Sequence, residues 1–204
     1  MANILFINSS ARSTGSISRQ LTGEFIEQLK AAQPGSSVVE RDVAAHPIPH
    51  LDEKMLGAFF TPAEQRSAEQ KALVNISETL IAEVNAADTI VIGAPMYNFS
   101  ITSTLKAWID HVARAGVTFK YTETGPVGLI QGKKVYVFTS RGGVYSEGPA
   151  KAMDFHETYL RAVLGFIGMS DVTFIHSEGL GMGEAAVAKA IAQTRESIGN
   201  LLSA

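Results

Sequence analysis

Four short runs of branched apolar residues, none broken by polar alternation, constrain this chain more than any other feature. They are Ile4–Ile7, Thr89–Ile92, Val135–Thr139 and Val172–Ile175, with Ser37–Glu40 a weaker fifth. A strand with one face in water alternates polar and apolar residues, so unbroken runs belong to a sheet covered on both faces. The stretches between them have helical period. Leu21, Phe25 and Leu29 fall on one face of Ser18–Ala32, and Leu73, Ile76, Leu80 and Val84 form a second stripe. Thr61-Pro62-Ala63-Glu64 reads as the start of that second helix, with a Thr cap, Pro in the first turn and Glu three residues after the cap. Thr104–Arg114, Phe155–Ile167 and Glu184–Leu202 complete five helices. Strands alternating with helices predict an α/β domain, a doubly wound five-stranded parallel sheet with helices on both faces. Among doubly wound arrangements, five strands fit the order 2-1-3-4-5.

No repeat or composition break interrupts the 204 residues, so the expectation is one domain over 1–204. The absence of cysteine excludes thiolate catalysis, Cys-ligated zinc, iron–sulfur clusters and disulfides. Lys and Arg total 17 against 20 Asp and Glu, interspersed, which argues against nucleic acid or an anionic membrane as partner. No apolar run is long enough to span a bilayer, and the N-terminus reads as a first strand and not a signal peptide, so a cytoplasmic location is expected. The histidines at 46, 50, 111, 156 and 176 match no metal-ligand spacing, and no metal is expected. There is no Gly-x-Ser-x-Gly elbow. Trp108, beside Leu105, Ile109 and Val112, belongs to the core or to an interface between subunits.

In an open sheet of this kind, ligands bind beyond the carboxyl ends of the strands, where the strand order reverses. Three loops qualify: Asn8–Ser18, Ala94–Ser100 and Ser140–Tyr145. The first carries six hydroxyls, Gly15 and Arg12 ahead of a helix, but neither the dinucleotide fingerprint nor the NTPase loop. A helix N-terminus attracts anions, and Ser10, Ser16 and Ser18 suit a phosphate that is held and never transferred. A plain serine cap accounts for the same residues. In the second loop Pro95 ends the strand, and Met96, Tyr97, Asn98 and Phe99 follow at its exposed end. That cluster points to a planar or apolar ligand, with Asn98 offering a donor and an acceptor; Phe99 taken alone also fits a core position. In the third, Ser140-Arg141-Gly142-Gly143, paired glycines let backbone N–H groups approach a ligand that a Cβ would obstruct, though an ordinary turn uses them too. Gly179-Leu180-Gly181-Met182-Gly183 lacks the full nucleotide fingerprint and reads as a flexible connection. Ala44–Thr61, with Phe59 and Phe60, reads either as a mobile wall of the cleft or as ordinary packing.

Ala94–Phe99, Ala113–Phe119, Ser140–Gly143 and Leu164–Gly168 together resemble the FMN-dependent NADH-azoreductases, within the flavodoxin-like NAD(P)H:quinone oxidoreductases. The resemblance runs from the first strand to the last helix. It implies tightly but non-covalently bound FMN, with NADH or NADPH as co-substrate and azo compounds and quinones as acceptors. Hydride would pass through flavin N5 in a ping-pong order. It further implies that Ser10, Ser16, Ile17 and Ser18 hold the FMN phosphate, with Ile17 offering only its backbone N–H. Met96, Tyr97, Asn98 and Phe99 would pack against the isoalloxazine, and Ser140, Arg141, Gly142 and Gly143 would line its pyrimidine side. Tyr121 and Phe166 would flank the substrate cleft, partly from the second subunit of a homodimer, with Tyr121 a local proton donor. A one-electron carrier of the flavodoxin type and an FMN-binding regulator are the competing readings; the modest net charge, with no acidic run near the loops, speaks against the carrier.

Overall fold

The computed structural model describes residues 2–203. The chain runs β1 (Asn3–Asn8), α1 (Ile17–Ala32), β2 (Ser37–Asp42), α2 (Glu53–Phe60), α3 (Ala68–Ala86), β3 (Thr89–Pro95) and α4 (Ser103–Val112). It continues through β4 (Phe119–Thr122), β5 (Gly125–Gly128), β6 (Lys134–Ser140), α5 (Phe155–Phe166), β7 (Asp171–Ser177) and α6 (Glu184–Ser203). All five apolar runs are strands of one sheet, in the order β2-β1-β3-β6-β7 with every neighbouring pair parallel. This is the expected 2-1-3-4-5 order, because β4 and β5 form a separate antiparallel hairpin.

Successive strand residues feed two cores, which is why the runs lack alternation. Leu5, Ile7, Ile90, Ile92, Val135 and Val137 pack with Leu80, Trp108 and Leu160 on one face. Ile4, Phe6, Val91 and Phe138 pack with Leu21, Phe25 and Ile198 on the other. Trp108 is thus a core residue of the chain itself. No residue of the edge strand β2 is buried, which accounts for its weak signal.

The structure corrects the start of the second long helix. Thr61 ends α2 instead: its N–H and its hydroxyl both reach the Gly57 carbonyl, at 3.1 and 2.8 Å. Pro62 is extended, a single 3-10 turn follows at Ala63–Gln65, and α3 begins only after Ser67. There Ser67 Oγ accepts from the Gln70 amide at 3.2 Å, while the Ser67 amide donates to Gln70 Oε1 at 3.0 Å. This reciprocal box satisfies two amides, whereas Thr61 is taken up as the end of α2, with its hydroxyl on the Gly57 carbonyl.

Helix α2 itself was not expected. Asp52 caps it by accepting from the Met55 amide at 2.8 Å, and Met55 and Ala58 are buried beneath it. Phe59 lies under the Arg114 guanidinium, 4.8 Å from the ring centroid, whereas Phe60 is 79% exposed. The hairpin β4–β5 docks where Gly128 meets Gly168 after α5, helped by the Ile130 amide donating to the Ile167 carbonyl at 3.0 Å. Among the described residues no helix is long and apolar enough to cross a membrane, and no group of three or more His, Asp or Glu is placed to hold a metal.

Candidate functional site

The register of the central strands brings the three loops to one rim. Asn8 on β1 lies beside Gly93 on β3, and Pro95 lies beside Ser140 on β6. The Ser9 hydroxyl donates to the Gly93 carbonyl at 2.7 Å, and the Met96 amide to the Ser140 carbonyl at 2.9 Å, so the loops are stitched where they leave the sheet. A cavity of about 440 Å³ opens there, with walls from Ser10, Ser16 and Ile17, from Met96 and Tyr97, and from Ser140 and Gly142. A wider groove of about 820 Å³ lies on the other side of Tyr97 and Asn98, against Ile101, Lys106 and Tyr159.

In the first loop Ser16 caps α1. Its Oγ accepts from the Arg19 amide at 3.4 Å and sits 2.9 Å from Ser10 Oγ and 3.2 Å from Ser18 Oγ. The amides of Ser16, Ile17 and Ser18 find no acceptor among the described residues. Clustered hydroxyls and free amides at a helix N-terminus are chemistry that suits an anion; Ser10 and Ser16 line the cavity, Ser18 does not, and no carboxylate is among the described residues that do. Arg19, unnoticed in the sequence, fastens this loop. Its guanidinium holds both oxygens of Asp42 and also donates to the carbonyls of Ser10 (2.8 Å) and Arg12 (3.0 Å). Burial opposes the Asp42 charge, but Arg19 and the Ala45 and Ala44 amides outweigh it and keep the carboxyl below its usual range. A basic residue in a first helical turn, against the helix dipole, was the available signal.

In the second loop the Tyr97 and Ser100 amides and carbonyls pair reciprocally, at 2.9 and 3.1 Å, around a two-residue turn. Asn98 and Phe99 both have left-handed backbone there, with φ of 48° and 70°. Asn tolerates that region, but Phe does not, at a cost of about 1–3 kcal/mol. The turn holds Tyr97 and Phe99 outward, 36% and 42% exposed, so Phe99 is not a core residue.

The third loop is tied to the Gly179–Gly183 stretch, which is therefore not the flexible connection expected. Gly179, Leu180 and Gly181 donate their amides to the carbonyls of Gly143, Arg141 and Gly142, at 3.0, 3.0 and 2.8 Å. Although β7 is at the sheet edge, the chain leaving it doubles back along the rim, and Leu180 and Gly181 join the cavity wall. A Cβ on Gly181 would sit 3.2 Å from the Gly142 carbonyl oxygen, whereas one on Gly142 would meet nothing within 4 Å. The Gly142 and Gly143 amides find no acceptor among the described residues. Arg141 reaches the rim only through its backbone. Its guanidinium is sealed inside, 2.9 Å from Asp154 and 3.1 Å from Glu178. Burial resists the Glu178 charge, but Ser146, the Tyr145 amide and Arg141 hold its carboxyl below the ordinary value.

Behind this loop His156 is fully buried, with neither ring nitrogen bonded among the described residues. Burial, aided by the Arg141 charge and only partly offset by Asp154, pushes its pKa down to about 3. Below pH 6.5 the unfolded chain takes up a proton that the folded chain refuses until about pH 3, so stability is complete above that window and is lost as pH falls through it. The slope reaches about 1.4 kcal/mol per pH unit for one such group. Buried His111 and half-buried His176 act in the same direction. His156→Leu gives up no hydrogen bond, so melting temperatures from pH 7 to 4 should fall less steeply in the variant; parallel curves would contradict this.

Of the remaining expected residues, Tyr121 and Phe166 are brought together through Phe119, whose ring centroid lies 5.6 Å from the first and 4.3 Å from the second. Neither lines the rim cavity or the wider groove.

The chain matches the flavodoxin-like fold family over residues 2–202. An FMN-dependent NADH:quinone oxidoreductase of Herminiimonas arsenicoxydans is 66% identical over 204 residues, the full length of both chains. The crystal structure of an azoreductase from Bacillus anthracis str. Sterne superposes with a TM-score of 0.91 at 31% identity, covering 99% of each chain. An FMN-dependent NADH-azoreductase from Bacillus anthracis str. Ames Ancestor, solved in complex with FMN, superposes with a TM-score of 0.87 at 25% identity over 98% of this chain and 99% of that one. By fold and by sequence over its whole length, the chain belongs to the flavodoxin-like family of FMN-dependent NADH:quinone oxidoreductases.

Proposed function

We propose that this protein is an FMN-dependent oxidoreductase that takes electrons from NADH, or alternatively NADPH, and delivers them to quinones and azo compounds. The observation that carries the reading is the rim itself, where Ser16 and Ile17, Met96 and Tyr97, and Ser140 to Gly142 wall one cavity, and where the amides at the start of α1 and of Gly142 and Gly143 find no acceptor among the described residues. The donor set fits the cofactor: hydroxyls and amides for a phosphate, an apolar wall for a flat ring system, and glycine amides for a heterocycle edge. When bound, FMN would supply two-electron hydride chemistry through its N5, in ping-pong order between nicotinamide and acceptor.

The chain's own residues bind and orient. Ser10, Ser16 and Ser18 hold the phosphate with their hydroxyls, and Ile17 contributes its amide. Met96, Tyr97 and Phe99 support the ring, and Asn98, fixed by its left-handed turn, hydrogen-bonds the ring edge. Gly142 and Gly143 aim amides at the pyrimidine side, where donors stabilise developing negative charge; Ser140 and the Arg141 backbone shape the same wall. The exposed aromatics and the adjoining groove suit flat acceptors. Tyr121 is 73% exposed and stands apart from its own rim, which supports a homodimer in which Tyr121 and Phe166 complete the partner's cleft, with Tyr121 as local proton donor.

The test is spectroscopic. FMN-loaded protein should be bleached by NADH without oxygen, and benzoquinone or methyl red should restore the colour. Bound FMN that NADH leaves untouched would contradict the enzyme and favour a regulator.

A further inference from the structure

The third loop presents its amides on Gly142 and Gly143, residues with the least intrinsic hold on their own backbone. Whatever orders that loop from behind therefore governs the rim. Glu178, the first residue after β7, stands there. Its Oε1 accepts from the Tyr145 amide at 2.8 Å, the Ser146 amide at 3.0 Å and Arg141 Nη1 at 3.1 Å, and its Oε2 accepts from the Ser146 hydroxyl. One carboxylate grips the loop on both sides of the two glycines. The same Arg141 Nη1 also pairs with Asp154, which caps α5. Tyr145, placed by the same carboxylate, meets Phe99 edge-on at 6.2 Å and lies 3.3 Å from where a Gly143 Cβ would be.

We propose that Glu178 is a positioning residue for the cofactor rim, its carboxylate setting the placement of the Gly142 and Gly143 amides and of Tyr145 beside Phe99. The inference rests on the FMN reading above. A carboxylate accepts from all four donors at once. A glutamine has a single acceptor oxygen, no charge for Arg141, and an NH₂ group directed at hydroxyl or guanidinium partners.

Two variants test it, Glu178→Gln and Ser146→Ala, each titrated with FMN as apoprotein by quenching of flavin fluorescence. Glu178→Gln should raise the FMN Kd about tenfold and Ser146→Ala about threefold, as loss of one charge-assisted or one ordinary bond predicts. Circular dichroism should stay unchanged in both. A role in stability alone would lower the melting temperature of Glu178→Gln and leave its Kd at the wild-type value, and that result overturns the proposal. Should Glu178→Gln not fold, Ser146→Ala decides, and an unchanged Kd there overturns it equally. Should the wild-type protein itself take up no FMN, the cofactor reading falls on its own. Glu178 is then judged by amide hydrogen exchange, with faster exchange at Tyr145, Leu180 and Gly181 in Glu178→Gln expected and wild-type protection fatal.

Discussion

Gly142→Val is expected to fold normally and to bind FMN about a hundredfold more weakly, a loss of about 2.7 kcal/mol. The two halves of this result come from one geometric fact. A Cβ at Gly142 meets no protein atom within 4 Å, yet the residue lines the rim cavity. Its backbone is not in the left-handed region, so a side chain brings no backbone strain of the kind that glycine relieves. The added methyls therefore occupy ligand space and push any bound ring off the neighbouring amides. Gly142→Ala, with less bulk, should lose about tenfold. Melting temperature and FMN titration read the two halves separately. Full FMN affinity in Gly142→Val would remove the third loop from the site.

Gly128→Ala should have the opposite profile, with a large loss of stability from a residue outside the rim. A Cβ there would lie 2.1 Å from the Gly168 amide nitrogen and 2.4 Å from the Ile167 carbonyl carbon, both backbone atoms. Gly168 cannot yield easily: its own φ is +108°, and a Cβ on it would fall 2.6 Å from the Ile130 carbonyl oxygen. Relief requires lifting the β4–β5 hairpin off the end of α5, at a cost of about 3 kcal/mol, the upper range for overpacking. For a chain of this size that lowers the melting temperature by about 10 °C. The hairpin carries Tyr121, so turnover with quinone should fall further than FMN affinity does. A melting temperature within about 2 °C of wild type would show that the close approach is not needed.

The sheet was legible because its physics is local to each run: Ile90, Val91 and Ile92 are all fully buried, and covering both strand faces leaves no alternation. The edge strand β2 was faint because Val39 is half exposed. The β4–β5 hairpin was invisible because two four-residue strands containing Pro126 are not stabilised by their own sequence. They are held by the approach of Gly128 to Gly168, residues distant in sequence. Thr61 misled because two cap signals lie within a few residues, and Thr61 is taken up by the end of α2, which leaves Ser67 and Gln70 to start α3. That the three loops share one rim was legible because topology dictates which loops leave the carboxyl ends of the central strands. The groups that hold those loops were not found, since Arg19 acts through Asp42 and Glu178 through Tyr145 and Ser146. A charged side chain's partner across tens of residues has no periodicity to betray it. The Gly179–Gly183 stretch was discounted for want of the full fingerprint, but the chain beyond the edge strand β7 still folds back over the rim.

A crystal structure of the FMN-loaded protein decides whether these three loops jointly hold the cofactor. The phosphate is expected against the Ser16–Ser18 amides and the ring between Met96–Phe99 and Gly142–Gly143. A phosphate away from the start of α1, or a ring elsewhere on the molecule, would contradict that arrangement.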